Sequence, residues 1–174
     1  MSTPSAQLSV LVGKNFVCVK IAGRANFTAA PDFIALLSGL AQKGYAHFIL
    51  DLSECALMDS TFLGVLAGFG MKLNSPENAA GRAMELFNAN ERVTELLENL
   101  GVLHLFKIHS GALQLPEDVK ISTPASINPT HEQITRTCLK AHETLMMVNP
   151  DNVARFKDVT QFLAEDLKNL EKPS

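Results

Sequence analysis

Apolar and polar residues alternate through Leu8, Val10 and Val12, stop at Gly13-Lys14-Asn15, and alternate again through Val17, Val19 and Ile21. A period of two on both sides of a turn predicts a β-hairpin. The spacing then becomes helical. Pro31 suits a first helical turn, Phe33, Leu36, Leu37 and Leu40 form one stripe, and Gly44 is placed to end it. Phe48-Ile-Leu-Asp-Leu52 is apolar on both faces except at Asp51, which predicts a central strand covered by helices. Met58-Asp59-Ser60-Thr61 follows, and then a helix with Phe62, Leu66, Phe69 and Leu73 on one stripe. Gly64, Ala67 and Gly68 allow that helix to approach a neighbour closely.

Asn74-Ser75-Pro76-Glu77-Asn78 carries loop chemistry. Ala83 to Phe87 reads as a strand, Val93, Leu96, Leu97 and Leu100 as a helix stopped by Gly101, and Leu105 to Ile108 as a last short strand. The order β-β-α-β-α-β-α-β predicts an α/β domain with a mixed sheet and helices packed on it. Beyond His109 the pattern weakens, and Pro116, Pro124 and Pro129 mark a linker. Thr130 with Gln133 fits a capping box ahead of a helix with Ile134, Cys138, Ala141 and Leu145 on one face. Asn149-Pro150 breaks that helix and begins another, with Val153, Phe156, Thr160, Leu163, Leu167 and Leu170 in a stripe. The expected organisation is a domain over residues 1–109, a linker over 110–130 and a helical extension over 131–174. The extension's apolar faces need a cover: the body of the domain, each other, or a second copy of the chain.

Composition narrows the functional classes. At 174 residues, 47% hydrophobic, the chain is long enough to bury roughly 70% of its unfolded surface. A formal net charge of -3 without a basic block argues against nucleic acid. The most apolar run, Phe62 to Met71, is too short to span a bilayer, and Met-Ser-Thr-Pro-Ser at the start lacks the features of a secretion signal. Cys18, Cys55 and Cys138 are isolated and predict no disulfide framework, so the chain reads as soluble and cytoplasmic.

Candidate chemistry centres on Ser60. At a helix N-terminus, unpaired N–H groups and the positive dipole end favour negative charge. A serine there serves either as a cap or as a phosphorylation site that switches a binding surface. Thr61 reads as a first-turn residue, and Asp59 as a partner contact or helix-start residue. Cys138 and His142 lie four apart on a helix, a spacing compatible with one metal, but without two further ligands a half-buried pair is the simpler reading. No base, orienter and oxyanion set can be named, so no catalytic residue, metal or cofactor is expected.

Residues 8 to 109 resemble the STAS domain of bacterial anti-sigma factor antagonists. The resemblance is carried by Ile21-Ala22-Gly23, by Asp51-Leu52 ahead of Met58-Asp59-Ser60-Thr61, by Leu63-Gly64-Val65-Leu66, and by Phe87-Asn88-Ala89-Asn90 through Leu100-Gly101 into Leu105-Phe106. It implies that Ser60 is phosphorylated by an anti-sigma factor with serine kinase activity, that the unmodified form captures that factor and the phosphorylated form releases it, and that a PP2C-type phosphatase resets the switch. It also implies a partner surface of Asn26, Phe27, Thr28, Asp59, Ser60, Thr61, Phe62, Asn88 and Asn90. Phe62 stands where many members have glycine and offers an extra aromatic contact; Asn26 stands where many have aspartate and drops a charge. The competing reading is a non-switching STAS scaffold in a larger regulatory or lipid-transport assembly. A homodimer through the C-terminal helices is a further expectation.

Overall fold

The computed structural model describes residues 5–75, 83–115 and 120–172. The expected loop at Pro76–Asn78, Pro116 of the linker and the first four residues lie outside them. The hairpin forms as strands β1 (Ala6–Val12) and β2 (Val17–Ala25), paired antiparallel. Helix α1 (Ala30–Gln42) has Pro31 in its first turn, and Gly44 beyond its end takes a positive φ of 99°. Strand β3 (His47–Asp51) pairs parallel with β2. A short strand that the sequence pattern had not shown, β4 (Cys55–Met58), pairs parallel with the far half of β2. Gly23 makes this change of neighbour possible: its φ is +94°, the register shifts between it and Arg24, and a Cβ there would lie 3.1 Å from the Ser5 carbonyl oxygen.

Helix α2 (Ser60–Leu73), strand β5 (Ala83–Phe87) and helix α3 (Glu91–Asn99) follow. Leu103–Leu105 forms a 3-10 turn, which moves the next strand, β6 (Lys107–His109), past the expected Leu105. Strand β7 (Lys120–Ser122) lies within the expected linker and pairs antiparallel with β1. Helices α4 (His131–Val148) and α5 (Asp151–Glu171) complete the chain, α4 opening with the expected capping box of Thr130 and Gln133. Among the described residues the mixed sheet runs β6-β5-β3-β2-β1-β7, with β4 beside β2.

Alternation along the strands sorts the two faces of the sheet. Val17, Val19, Ile21, Phe48, Leu50, Leu52, Met84 and Leu86 point into one cluster with Phe33 and Leu37 of α1, Phe62 and Leu66 of α2, and Val93 and Leu97 of α3. Ile49 is buried outside that cluster, so the helices cover β3 on one face rather than both. On the opposite face the Glu85 carboxylate takes hydrogen bonds from the half-exposed rings of His47 and His109.

The C-terminal hairpin is seated on this body. Ala141 and Leu145 of α4 belong to the main cluster, and Phe156 of α5 packs against it. Asn152, wholly buried, donates through Nδ2 to the Leu100 carbonyl at 2.9 Å and the Leu145 carbonyl at 2.8 Å, joining the start of α5 to the ends of α3 and α4. No helix among the described residues is long and apolar enough to cross a membrane.

Candidate functional site

Strand β4 ends at Met58, and the backbone turns into α2 through Asp59, which is extended at φ -96° and ψ 174°. Asp59 is the cap: its Oδ1 accepts from the Phe62 N–H at 2.8 Å. Its Oδ2 accepts from the Phe27 N–H at 2.7 Å, which draws the β2–α1 loop to the helix start. Burial pushes the Asp59 carboxyl above its ordinary range, outweighing the hydrogen bonds from Phe62 and Phe27 and the attraction of His142. Ser60 is therefore the first helical residue and not the cap, and its hydroxyl is not needed to close the helix end.

That hydroxyl meets the C-terminal extension. Ser60 Oγ lies 2.8 Å from His142 Nε2. The other ring nitrogen, Nδ1, is 2.7 Å from the Cys138 carbonyl oxygen. A carbonyl only accepts, so Nδ1 carries a proton, and in the neutral ring Nε2 accepts from the serine. The ring is also packed edge-on against Phe156 of α5, with centroids 4.9 Å apart. His142 is buried, whereas Ser60 is half-buried.

The expected partner residues divide by burial. Phe27 and Thr28 are exposed and Asn26 is half-buried; Asn26 Oδ1 accepts from the backbone N–H of Thr28 at 3.1 Å and its hydroxyl at 2.6 Å, which shapes the loop. An amide thus does the local work for which an aspartate is common. Phe62 is 0% exposed and stacks on Phe33 with centroids 4.5 Å apart. It fills the core and offers no aromatic contact, because the stripe that packs α2 on the sheet runs through position 62. Thr61 is buried where its hydroxyl meets the Cys138 thiol.

Asn88 and Asn90 have internal tasks. Asn88, at φ 61°, exchanges two 2.9 Å hydrogen bonds with the backbone of Gly111. Asn90 caps α3 by accepting from the Val93 N–H at 2.9 Å, and its Nδ2 donates to the Cys55 and Ala56 carbonyls at 3.1 and 3.0 Å. Of the expected surface, Phe62 and Thr61 are buried, while Asn90 is exposed and Asn26, Asn88, Asp59 and Ser60 are half-buried.

Both nitrogens of His142 are engaged, by Ser60 and by the Cys138 backbone. Among the described residues no group of three or more His, Cys, Asp or Glu side chains is placed to hold a metal ion. A groove of about 510 Å³ between α1, α2 and α4 is lined by Gly64, Gly68 and Lys140, and Ser60 is not part of its wall. Sequence reasoning placed His142 in a half-buried pair with Cys138 but missed its contact with Ser60.

The STAS domain family model matches residues 7–112 of the chain. Over 96 residues the chain is 25% identical to the anti-sigma-B factor antagonist of Staphylococcus aureus (strain NCTC 8325 / PS 47), covering 55% of this chain and 85% of that protein. The fold is similar to that of an anti-sigma factor antagonist from Mycobacterium paratuberculosis, with a TM-score of 0.53 and 18% identity over 63% of this chain and 90% of that one. It is also similar to Thermotoga maritima TM1081, with a TM-score of 0.51 and 24% identity over 59% of this chain and 85% of that one. The family match ends at residue 112, so α4, α5 and the His142 contact lie outside it.

Proposed function

This chain belongs to the STAS-domain family, and we propose that it is an anti-sigma factor antagonist, a binding protein rather than an enzyme, switched by phosphorylation of Ser60. One observation carries the reading: Asp59 caps α2, which leaves the hydroxyl of the first helical residue half-buried and free of any capping task. In this reading the unmodified protein binds an anti-sigma factor with serine kinase activity through the Asn26–Thr28 loop and the start of α2. Phosphorylation releases that partner, and a PP2C-type phosphatase restores the first state, all in the cytoplasm.

The switch is electrostatic. A phosphate adds about 1.5 to 2 negative charges and three acceptor oxygens. The N-terminus of α2 favours such a charge by up to about 1 kcal/mol, so the helix that carries Ser60 tolerates it. A partner that buries the same charge beside Asp59 has to desolvate it, and a loss of about 3 kcal/mol weakens binding by roughly a hundredfold.

The test is an intact-mass measurement after incubation with ATP and an anti-sigma kinase that captures the chain. The native protein gains one phosphate and Ser60→Ala gains none; a mass that stays unchanged both in the native chain and in His142→Ala overturns the proposal. The second reading, a scaffold that never switches, draws on the hydrogen bond from Ser60 to His142, and an unchanged mass would favour it. The expected homodimer would use the outer face of α5, where Phe162 is 72% exposed. Light scattering on Phe162→Glu decides that point.

A further inference from the structure

We infer that the C-terminal hairpin is an internal cover of the switch surface, and that a kinase or binding partner reaches Ser60 only when α4 lifts from α2. The inference rests on the phospho-switch reading for its consequence, but the cover itself stands on geometry.

Three pairs set the register: Cys138 meets Thr61, Ala141 meets Gly64, and Thr144 approaches Gly68. The partners ascend together, so α4 and α2 run in the same direction. Side chains on a helix lean toward its N-terminus, which brings His142 back onto Ser60 at the start of α2. The imidazole is fixed from behind by the Cys138 carbonyl and flanked by Phe156, so it has no easy rotation away. A 2.8 Å hydrogen bond between Oγ and Nε2 leaves no room for a phosphorus atom and its oxygens on that side. Thr61, the next residue, is buried against the same helix.

Gly64 is what lets the cover close. A Cβ built there would lie 2.4 Å from the Ala141 carbonyl oxygen and 2.8 Å from its Cβ, distances that no packed structure tolerates. The obstructing atoms belong to α4. Alanine at position 64 is otherwise compatible with the interior of α2, where it is the better helix former. Gly64→Ala is therefore a substitution that opposes docking of α4 without disturbing the helix that carries Ser60.

The experiment compares the full-length native chain, Gly64→Ala and His142→Ala. Docking is read without a kinase, from amide hydrogen exchange over residues 60–64 and from alkylation of Cys138 by iodoacetamide, with buried Cys18 and Cys55 as internal controls. Exchange and Cys138 alkylation are expected to rise roughly tenfold or more in Gly64→Ala. Initial phosphorylation of Ser60 by an anti-sigma kinase with ATP is expected to rise in Gly64→Ala and in His142→Ala. A folded Gly64→Ala chain with native exchange and alkylation overturns the cover, as do equal phosphorylation rates in all three chains. If exchange responds while no chain accepts phosphate, the cover stands and the phospho-switch reading fails. Should Gly64→Ala not fold, His142→Ala carries the test, since it removes the hydrogen bond and keeps the Ala141–Gly64 packing.

Discussion

Ser60 and His142 stand 82 positions apart in the chain, yet their side chains are joined by a 2.8 Å hydrogen bond that links the start of α2 to the C-terminal extension. Its direction follows from the far side of the ring, where the Cys138 carbonyl can only accept. Neutral His142 is thus expected as the Nδ1–H tautomer, and ring nitrogen chemical shifts of the labelled protein report it directly. Ser60→Ala should leave that tautomer in place, because the Cys138 contact remains. An Nε2–H tautomer in the native chain would contradict the donor assignment.

Phe62 and Phe27 give opposite expectations. Phe62→Ala removes a wholly buried ring stacked on Phe33 and is expected to lower stability by about 3 to 5 kcal/mol, read by urea denaturation. Phe27, 45% exposed on the loop tied to Asp59, should change stability by no more than about 0.5 kcal/mol when replaced by alanine. The same Phe27→Ala substitution is expected to weaken capture of the anti-sigma factor. Equal stability losses in the two variants would refute the division between core and surface.

Asn152 anchors the hairpin from inside. Replacing it by alanine leaves the Leu100 and Leu145 carbonyls without their side-chain donor, and a loss of about 2 to 3 kcal/mol is expected in thermal or urea unfolding. The variant should also be cleaved faster by a protease between α4 and α5. A stability unchanged from the parent would show that the two carbonyls find equivalent partners.

Two carboxylates respond to acid in opposite senses. Burial pushes Glu85 up, but the hydrogen bonds and charges of His47 and His109 together outweigh it and hold the carboxyl below its ordinary value of 4.5. Its contribution to stability is therefore present above 4.5 and lost as the pH falls through the lowered folded value. Glu85→Gln is expected to be less stable than the parent at neutral pH, with the gap closing in acid. Asp59 is shifted upward by burial, so its contribution is fully present below 3.8 and lost as the pH rises through the raised folded value. Carboxyl carbon NMR should place its midpoint above 3.8, and a midpoint at or below that value would contradict the desolvation argument.

Much of the architecture is written in local pattern. The hairpin follows from alternation at Leu8 to Ile21, and the three inner helices follow from stripes ended by glycine or loop residues. Strands β4 and β7 were not legible, because Cys55–Met58 and Lys120–Ser122 are too short to show a period and exist through pairing with β2 and β1. The site was legible as a strand-to-helix junction, but the roles within it were not. Asp59 and Ser60 are both good capping residues, and only the backbone turn decides that Asp59 takes the task. The meeting of Ser60 with His142 depends on how α4 docks, which no local signal carries. Asn90 follows the same logic: its side chain stays exposed, but its bonds to the Cys55 and Ala56 carbonyls follow only from the placing of β4 beside it.

The cover over α2 is made last. A ribosome completes the motif Asp59-Ser60-Thr61 long before it reaches His142, and chains begin to fold from their N-terminal side during synthesis. Each newborn molecule therefore passes through an interval in which the serine is bare, and a ligand already waiting at that moment competes against nothing. If α4 gates Ser60 as proposed, the age of the molecule, beside its chemical modification, bears on which partner finds it first.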